Sequence, residues 1–206
     1  MKPAEIEALS FQIIDRESGS HGFSPEQWAI VRRMIHTSAD FEYRDTVRFH
    51  PEAIGAGIAA IRAGKSIITD TNMARVGIRR SDLNPFGVIV KCYMNESIVH
   101  ENAKAAGTTR AHAAVDAALA DMPGGIYVIG NAPTALLHLL ECIKEGEAQP
   151  ALIIGLPVGF VNAAESKAEL LKLKQPPYIT NVGRKGGSNV AAAVVNALVI
   201  LAKQGF

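Results

Sequence analysis

Residues 126–136 read Ile-Tyr-Val-Ile-Gly-Asn-Ala-Pro-Thr-Ala-Leu, and this stretch shows how most of the chain is built. Its four apolar residues predict a buried strand, Gly130 and Asn131 predict a turn, and Pro133 favours the start of a helix. The same succession of apolar run, small or polar turn and helical periodicity occurs five times. The apolar runs are residues 66–69, 86–92, 126–129, 152–154 and 178–182. Five strands that alternate with helices predict a parallel sheet covered on both faces.

Right-handed crossovers turn this pattern into a three-layer, doubly wound α/β fold with a mostly parallel, five-stranded, flavodoxin-like sheet. The length of 206 residues favours a single α/β domain, 1–206, in which residues 1–64 form a helical part packed on or beside the sheet. In such folds the loops that leave the carboxyl ends of the strands form the ligand crevice. Those loops are therefore where we expect the functional residues.

The first 64 residues contain three predicted helices. An apolar stripe on the first helix is expected to face the core, and it consists of Ile6, Leu9, Ile13 and Ile14. Ser10 lies inside this stripe, where it is either a small residue that allows close packing or a hydroxyl that faces a ligand. Ser24, Pro25 and Gln27 predict a capped start for the second helix, and Pro51 predicts the start of the third.

Composition narrows the classes of function. Hydrophobic residues make up 48% of the chain and charged residues 20%, as in ordinary globular enzymes. The net charge is +1 with scattered basic residues, so neither nucleic acid nor an anionic membrane is an expected partner. Cys92 and Cys142 stand fifty positions apart, which indicates neither a disulfide framework nor a zinc motif. No signal peptide or membrane-spanning run is evident, and residues 190–201 are expected to form a buried helix, so we expect a soluble cytoplasmic protein.

His36 is the strongest candidate for chemistry among the six histidines. It is predicted near the end of the second helix, whose partial negative charge favours a protonated imidazole, whereas Arg32 and Arg33 one turn earlier oppose protonation. The sequence leaves open which effect wins. No two histidines have the spacing of metal ligands within one helix or strand. His112 is expected at a helix surface, and His138 is expected to be a packed helix residue. No metal site is therefore expected.

Two further features suggest an anionic ligand. The 183–188 loop, Gly-Arg-Lys-Gly-Gly-Ser, follows a predicted strand and opens the last helix, but it lacks the spacing of a phosphate loop. Nucleotide binding is therefore unfavoured, while carboxylate binding and a simple tight turn both stay open. Arg110 begins a helix after the break at residues 107–109, where its charge opposes the helix dipole. Either an anionic partner or ordinary solvent exposure explains that position.

Four segments together resemble the precorrin-8X methylmutases. They are Met34-Ile35-His36, the 130–136 run GNAPTAL, the 155–167 run GLPVGFVNAAESK and the 183–188 loop. The resemblance extends from the first helix to the last. It implies an isomerase of cobalamin biosynthesis that moves a methyl group from C-11 to C-12 of precorrin-8X, or of cobalt-precorrin-8, to give hydrogenobyrinate or cobyrinate. A rearrangement of this kind needs no cofactor.

The resemblance also implies roles for individual residues. His36 is the expected catalytic residue and assists the ring by protonation or hydrogen bonding. The expected substrate-binding residues are Ser10, Arg110, Asn131, Thr134, Gly183, Arg184, Lys185, Gly186, Gly187 and Ser188. A homodimer with sites at or near the subunit interface is implied, and a hand-off of product to the next pathway enzyme stays open. Two alternatives are a non-catalytic tetrapyrrole carrier and an α/β enzyme that acts on a phosphorylated small molecule through the 183–188 loop.

Overall fold

The computed structural model describes residues 2–204, in which helices surround one mixed sheet. The strands are β1 (Val47–Phe49), β2 (Ile67–Thr69), β3 (Val90–Lys91), β4 (Ile126–Ile129), β5 (Leu152–Gly155) and β6 (Tyr178–Asn181). The helices are α1 (Pro3–Ser18), α2 (Pro25–Ser38), α3 (Glu42–Thr46), α4 (Ala53–Arg62), α5 (Asn72–Gly77), α6 (Arg80–Leu83), α7 (Ser97–Ala106), α8 (Arg110–Ala118), α9 (Pro133–Lys144), α10 (Ala163–Leu170) and α11 (Ser188–Lys203).

The sheet has the order β1-β6-β5-β4-β2-β3. The strands from β2 to β6 are parallel, and among themselves they follow the order 2-1-3-4-5 that defines a flavodoxin-like sheet, so the predicted fold class is confirmed. The sixth strand, β1, was not predicted. It pairs antiparallel with β6 at the sheet edge, and its three residues, Val-Arg-Phe, are too few to give a periodic signal.

Strand β3 is shorter than the predicted run of residues 86–92. Asn84–Phe86 form a 3₁₀ turn that begins next to Pro85, and Gly87 follows in the left-handed region with φ of 67°. A strand cannot begin until the chain leaves this turn. Only Val90 and Lys91 therefore pair with β2.

Helices cover both faces of the sheet, which confirms the three-layer arrangement. Residues of α2, α4 and α11 share one buried cluster with one face of the strands, and residues of α8 and α9 share another cluster with the opposite face. Helix α11 is buried along most of its length, as expected from its apolar run. In the part of the chain from residue 2 to residue 204, no helix combines the length and the apolar character needed to cross a membrane.

Helix α1 corrects one expectation. Of its apolar stripe only Ile14 is buried, whereas Ile6, Leu9 and Ile13 are 52%, 42% and 37% exposed. The reason is that α1 lies on the outside of α2 and packs against the core through Ile14 and Phe11. The rest of the stripe is left as an exposed apolar surface.

The start of α2 is as predicted, and that of α4 is not. The Ser24 hydroxyl accepts a hydrogen bond from the Gln27 N–H at 3.2 Å, and the Gln27 side chain accepts one from the Ser24 N–H at 3.0 Å. Helix α2 ends at Ser38, where Ala39 takes the left-handed conformation, so His36 lies in its last turn. Helix α4 begins at Ala53, and Pro51 lies in the turn before it.

Candidate active site

Ser10 and His36 line one open groove between α1, α2 and the turn that follows α2. This His36 groove has a volume of about 190 Å³, and its apolar walls include Ile13, Ile35 and Phe41. Pockets for whole small-molecule ligands are usually larger, at ~300–1,000 Å³. The groove can therefore hold only part of a large ligand, whose remainder must lie over the open surface.

The His36 imidazole is exposed and is oriented by an aromatic contact. Its ring meets the ring of Phe11 edge to face, with centroids 5.2 Å apart and planes at 70°. Arg32 and Arg33 lie over the same Phe11 ring, at 4.4 Å and 5.2 Å from its centroid. Phe11 therefore positions the histidine from the side that faces α1.

The two arginines have carboxylate partners on α1. Arg32 pairs with Asp15 at 2.9 Å, and Arg33 pairs with Glu7 at 3.1 Å. These carboxylates offset the positive charge of the two arginines beside His36. His36 itself lies in the last turn of α2, where an imidazole N–H can donate a hydrogen bond to a ligand.

The turn after α2 joins the His36 groove to the 183–188 loop. The Lys185 ammonium donates to Asp40 at 2.6 Å and to Glu42 at 2.7 Å, and these two hydrogen bonds raise the pKa of Lys185 above its usual value. The Tyr43 hydroxyl also donates to the Gly186 carbonyl at 3.5 Å. Lys185 thus has carboxylate partners within the protein and anchors the loop, although it was predicted to bind a ligand.

Close packing explains Gly186 in the 183–188 loop, and a positive φ explains Gly183 and Gly187. A Cβ atom on Gly186 would lie 2.3 Å from the Leu156 carbonyl oxygen, and Gly187 has φ of 137°. Arg184 extends outward over the Phe160 ring at 5.6 Å and forms no ion pair with any residue from 2 to 204. Arg184 is therefore the cation that this loop offers to a ligand.

Lys167 on α10 lies beneath the loop and was not among the predicted site residues. It is fully buried, and its ammonium donates to the Asn181 side chain at 3.1 Å and to the Lys185 carbonyl at 2.6 Å. No carboxylate pairs with it within the described chain, and burial lowers the pKa of Lys167 to about 8. A buried ammonium of this kind creates a positive potential under the loop, which favours an anionic ligand above it. Spacing along α10 does not distinguish Lys167 from a surface lysine.

The topological switch point between β2 and β4 is filled by a side chain. Asp70 is buried, and its carboxylate accepts hydrogen bonds from the backbone N–H groups of Gly130 at 3.0 Å, Asn131 at 2.8 Å and Ala132 at 2.8 Å. Burial raises the pKa of Asp70, while these three bonds act in the opposite direction. The backbone donors where a doubly wound fold often binds phosphate are thus already occupied.

The remaining predicted site residues lie at the carboxyl edge of the sheet, outside the His36 groove. The Thr134 hydroxyl contacts the Thr109 hydroxyl at 2.9 Å, which joins the starts of α9 and α8, and Asn131 is exposed beside them. Arg110 is exposed as the first residue of α8, with its guanidinium 3.3 Å from the His100 ring. We call Asn131, Thr134 and Arg110 the Arg110 patch. None of the three lines the His36 groove.

Ser188 connects the loop to the switch point. Its hydroxyl lies 2.8 Å from that of Thr71, and a Cβ atom on Gly130 would lie 2.6 Å from the Ser188 Cα. The structure therefore places the 183–188 loop next to the 130–134 turn as well as next to the turn after α2. The predicted site residues form two groups along the carboxyl edge of the sheet, with this loop in contact with both sides.

Histidines on two different helices come together, although no two histidines have metal-ligand spacing within one helix or strand. The rings of His112 on α8 and His138 on α9 stack with centroids 3.5 Å apart, and Asp116 lies beside them. His112, which was expected at a helix surface, is half-buried. Spacing within one helix gives no information on a pair that forms between two.

Comparisons with known proteins agree over nearly the whole chain. The model of a family described as precorrin-8X methylmutase matches residues 5–201. A cobalt-precorrin-8 methylmutase of Priestia megaterium is 53% identical over 205 residues, which cover 100% of this chain and 91% of that protein. A precorrin-8X methylmutase of Pseudomonas aeruginosa is 43% identical over 190 residues, covering 92% of this chain and 91% of that protein. The crystal structure of precorrin-8X methyl mutase from Thermus thermophilus superimposes with a TM-score of 0.92 at 46% identity, covering 98% of this chain and 97% of that one.

Proposed function

This chain belongs to the precorrin-8X methylmutase family, the isomerases of cobalamin biosynthesis, and from that premise we propose that it carries out the methyl shift on a corrinoid ring bound at the His36 groove. The methyl group leaves C-11 of the ring and bonds to C-12. The observation that carries the location is that Ser10 and His36, which come from different helices, line the same groove. Precorrin-8X and cobalt-precorrin-8 present the same migrating methyl group, so the same site serves either substrate.

The surroundings of the groove suit a large ring with a fringe of carboxylates. The groove itself accepts only an edge of such a ring, because its volume is about 190 Å³. Arg184 at the loop surface, with the buried Lys167 ammonium beneath the loop, provides positive charge next to it. Carboxylates are well matched to arginine and to such a positive field. The ring periphery therefore extends from the groove over the 183–188 loop.

His36 assists the rearrangement as a hydrogen-bond or proton donor. The methyl shift breaks one carbon–carbon bond and forms another within the same molecule, so atoms and electrons balance without a second reactant. The electron density of the ring redistributes during migration, and a donor aimed at the position where charge develops lowers the barrier. The edge contact with Phe11 and the position at the carboxyl end of α2 hold the imidazole for this role. Ser10 donates a second hydrogen bond from the opposite wall.

We also propose that the active form is a homodimer in which a second copy covers the groove. Ile6, Leu9 and Ile13 form an exposed apolar stripe on α1, and Ile13 itself lines the groove. Exposed apolar surface of this kind favours association. The Arg110 patch does not reach the groove of its own chain, so a neighbouring subunit provides a way for Arg110 to meet the same ring.

We propose further that residues 1–206 form one domain that works in the cytoplasm. Residues 2–64 contribute β1 to the sheet and buried side chains from α1, α2, α3 and α4 to its core, which supports a common fold with the rest of the chain. Cys92 and Cys142 are both free thiols, which suits a reducing compartment.

A titration with hydrogenobyrinate followed by visible absorbance tests the location of the site. Loss of a hydrogen bond from His36 or Ser10 is expected to weaken binding ~5- to 30-fold, since such bonds contribute ~1–2 kcal/mol. The variants are His36→Gln and Ser10→Ala, and His21→Gln serves as the matched control because His21 is exposed and lies outside the groove. Unchanged affinity in both groove variants would place the ring elsewhere. Tight product binding without conversion by the wild type would identify a carrier, whereas stabilisation by sugar phosphates alone would support the phosphorylated-substrate alternative.

A further inference from the structure

We propose that His112, Asp116 and His138 form a binding site for one divalent transition-metal ion between α8 and α9. His112 and Asp116 are one turn apart on α8, so their side chains share a face, and His138 meets them from α9. One potential ligand atom from each of the three lies within 4.8 Å of the other two. Ligand atoms around a tetrahedral zinc ion are roughly 3.3 Å apart, given bonds of ~2.0–2.1 Å. The three atoms would therefore have to move closer together, by side-chain rotation, to bind one ion.

His138 has a carboxylate oxygen beside each of its two ring nitrogens. The Nε2 atom is 2.5 Å from a carboxylate oxygen of Asp116, and the Nδ1 atom is 3.4 Å from a carboxylate oxygen of Glu141. A neutral imidazole carries one N–H, so it can satisfy only one of two carboxylates. If Nδ1–H donates to Glu141, the short contact at Nε2 needs a proton or a metal ion. A carboxylate on the outer nitrogen is also the usual partner of a metal-bound histidine.

His112 on α8 supplies the second imidazole. Its ring stacks on that of His138 with a centroid distance of 3.5 Å and an interplanar angle of 15°. Metal ions bind imidazole through the lone pair of a ring nitrogen. Two stacked imidazolium rings would repel each other, whereas one shared ion attracts both.

The ligand set selects the kind of metal. Two imidazoles and one carboxylate suit Zn²⁺, Co²⁺, Ni²⁺ or Cu²⁺ better than Mg²⁺ or Ca²⁺, which prefer oxygen ligands. The Asp116 side chain is 49% exposed, so an ion can enter from solvent and keep one position open to water. Cys142 is buried on the inner side, with its sulfur 3.6 Å from His138 Nε2, and it does not belong to the group whose ligand atoms all lie within 4.8 Å of one another. We therefore leave Cys142 outside the ligand set.

Zn²⁺ binding measured by equilibrium dialysis tests this site directly, without reference to catalysis. The wild-type protein should bind one Zn²⁺ per chain. The variants His112→Asn and His138→Gln should each bind Zn²⁺ at least ~10-fold more weakly. Loss of a residue that only contacts a metal ligand already weakens metal binding by ~10-fold or more, and loss of a ligand should cost at least as much. His21→Asn is the matched control and should bind as the wild type does. Circular dichroism and melting of the metal-free variants show whether each remains folded.

Co²⁺ substitution gives a second measurement that depends on the ligands. Wild-type protein should show the visible d–d bands of four-coordinate Co²⁺, Cys142→Ala should retain them, and His138→Gln should lose them. The proposal would be overturned if the wild type retained no Zn²⁺, or if folded His112→Asn and His138→Gln retained as much Zn²⁺ as the wild type. Loss of the Co²⁺ bands in folded Cys142→Ala would also overturn it.

Discussion

Replacement of Asp70 by asparagine tests whether its carboxylate holds the switch point together. One oxygen accepts a bond from the Gly130 N–H at 3.0 Å, and the other accepts two from Asn131 and Ala132, both at 2.8 Å. An asparagine side chain has one oxygen, so its NH₂ group must face at least one of these N–H donors. The buried Gly130 N–H is the group that loses its acceptor if the amide oxygen keeps the other two.

The magnitude follows from these three bonds. An unsatisfied buried donor costs ~1–3 kcal/mol, and each surviving bond loses ~1 kcal/mol when its acceptor becomes neutral. The gross loss is about 4 kcal/mol, and removal of the buried charge, whose desolvation raises the pKa of Asp70, returns part of it. We expect a net destabilisation of about 2 kcal/mol, or a Tm lower by roughly 4–8 °C for a chain of this size.

Thermal unfolding followed by circular dichroism at neutral pH measures this change. Asp45→Asn is the matched control, because the Asp45 side chain is exposed and, within residues 2–204, pairs with the neighbouring Arg44 alone. It should leave the Tm close to that of the wild type. If Asp70→Asn melts at the same temperature as Asp45→Asn, the three hydrogen bonds do not hold the 130–134 turn, and the account of the switch point is wrong.

Two further predictions concern the buried lysine and the exposed stripe. Because the folded-state pKa of Lys167 is about 8, below its ordinary value of 10.5, the unfolded chain binds more protons between those values and stability should rise with pH across that window. Product affinity should fall as pH rises through about 8, because the Lys167 ammonium loses its charge. Lys167→Met should abolish the pH dependence of stability in urea unfolding and the pH dependence of affinity in product titration. If both pH profiles of Lys167→Met matched those of the wild type, the role given to Lys167 would be contradicted. Leu9→Asp should convert a dimer to monomers in sedimentation velocity, whereas Ile98→Asp, at a similarly exposed position on α7, should not. Dimers of Leu9→Asp at low concentration would exclude the α1 stripe from the interface.

Local periodicity was sufficient to predict the parallel sheet and not its edges. The strands β2, β4 and β5 are short runs of mostly apolar residues ended by a turn, because burial on both faces leaves no polar alternation. Strand β1 has only three residues and is stabilised by pairing with β6, which is distant in sequence. Which face of α1 is exposed likewise depends on which face packs on α2. Both faces carry apolar residues, so the sequence pattern does not distinguish them.

The candidate site shows the same limit. His36 was identifiable because a helix end and polar neighbours surround it in the sequence, and its resemblance to a family motif named its role. The burial of Lys167 and the meeting of His112 with His138 depend on the packing of separate elements. Ion pairing also changed the interpretation of Lys185, since Asp40 and Glu42 lie some 145 residues away and occupy its charge. Contacts of this range leave no trace in local spacing.

We claim that His36 assists the methyl shift on a bound ring. Single-turnover conversion of precorrin-8X to hydrogenobyrinate measures this contribution to the rate most directly. We expect His36→Ala to bind the product, to a lesser degree than the wild type, and to convert the substrate ~10²- to 10⁴-fold more slowly, the usual contribution of one positioned proton donor. His21→Ala, made at an exposed histidine outside the groove, should convert at the wild-type rate. A His36→Ala variant that binds product and converts substrate at the wild-type rate would contradict the claim.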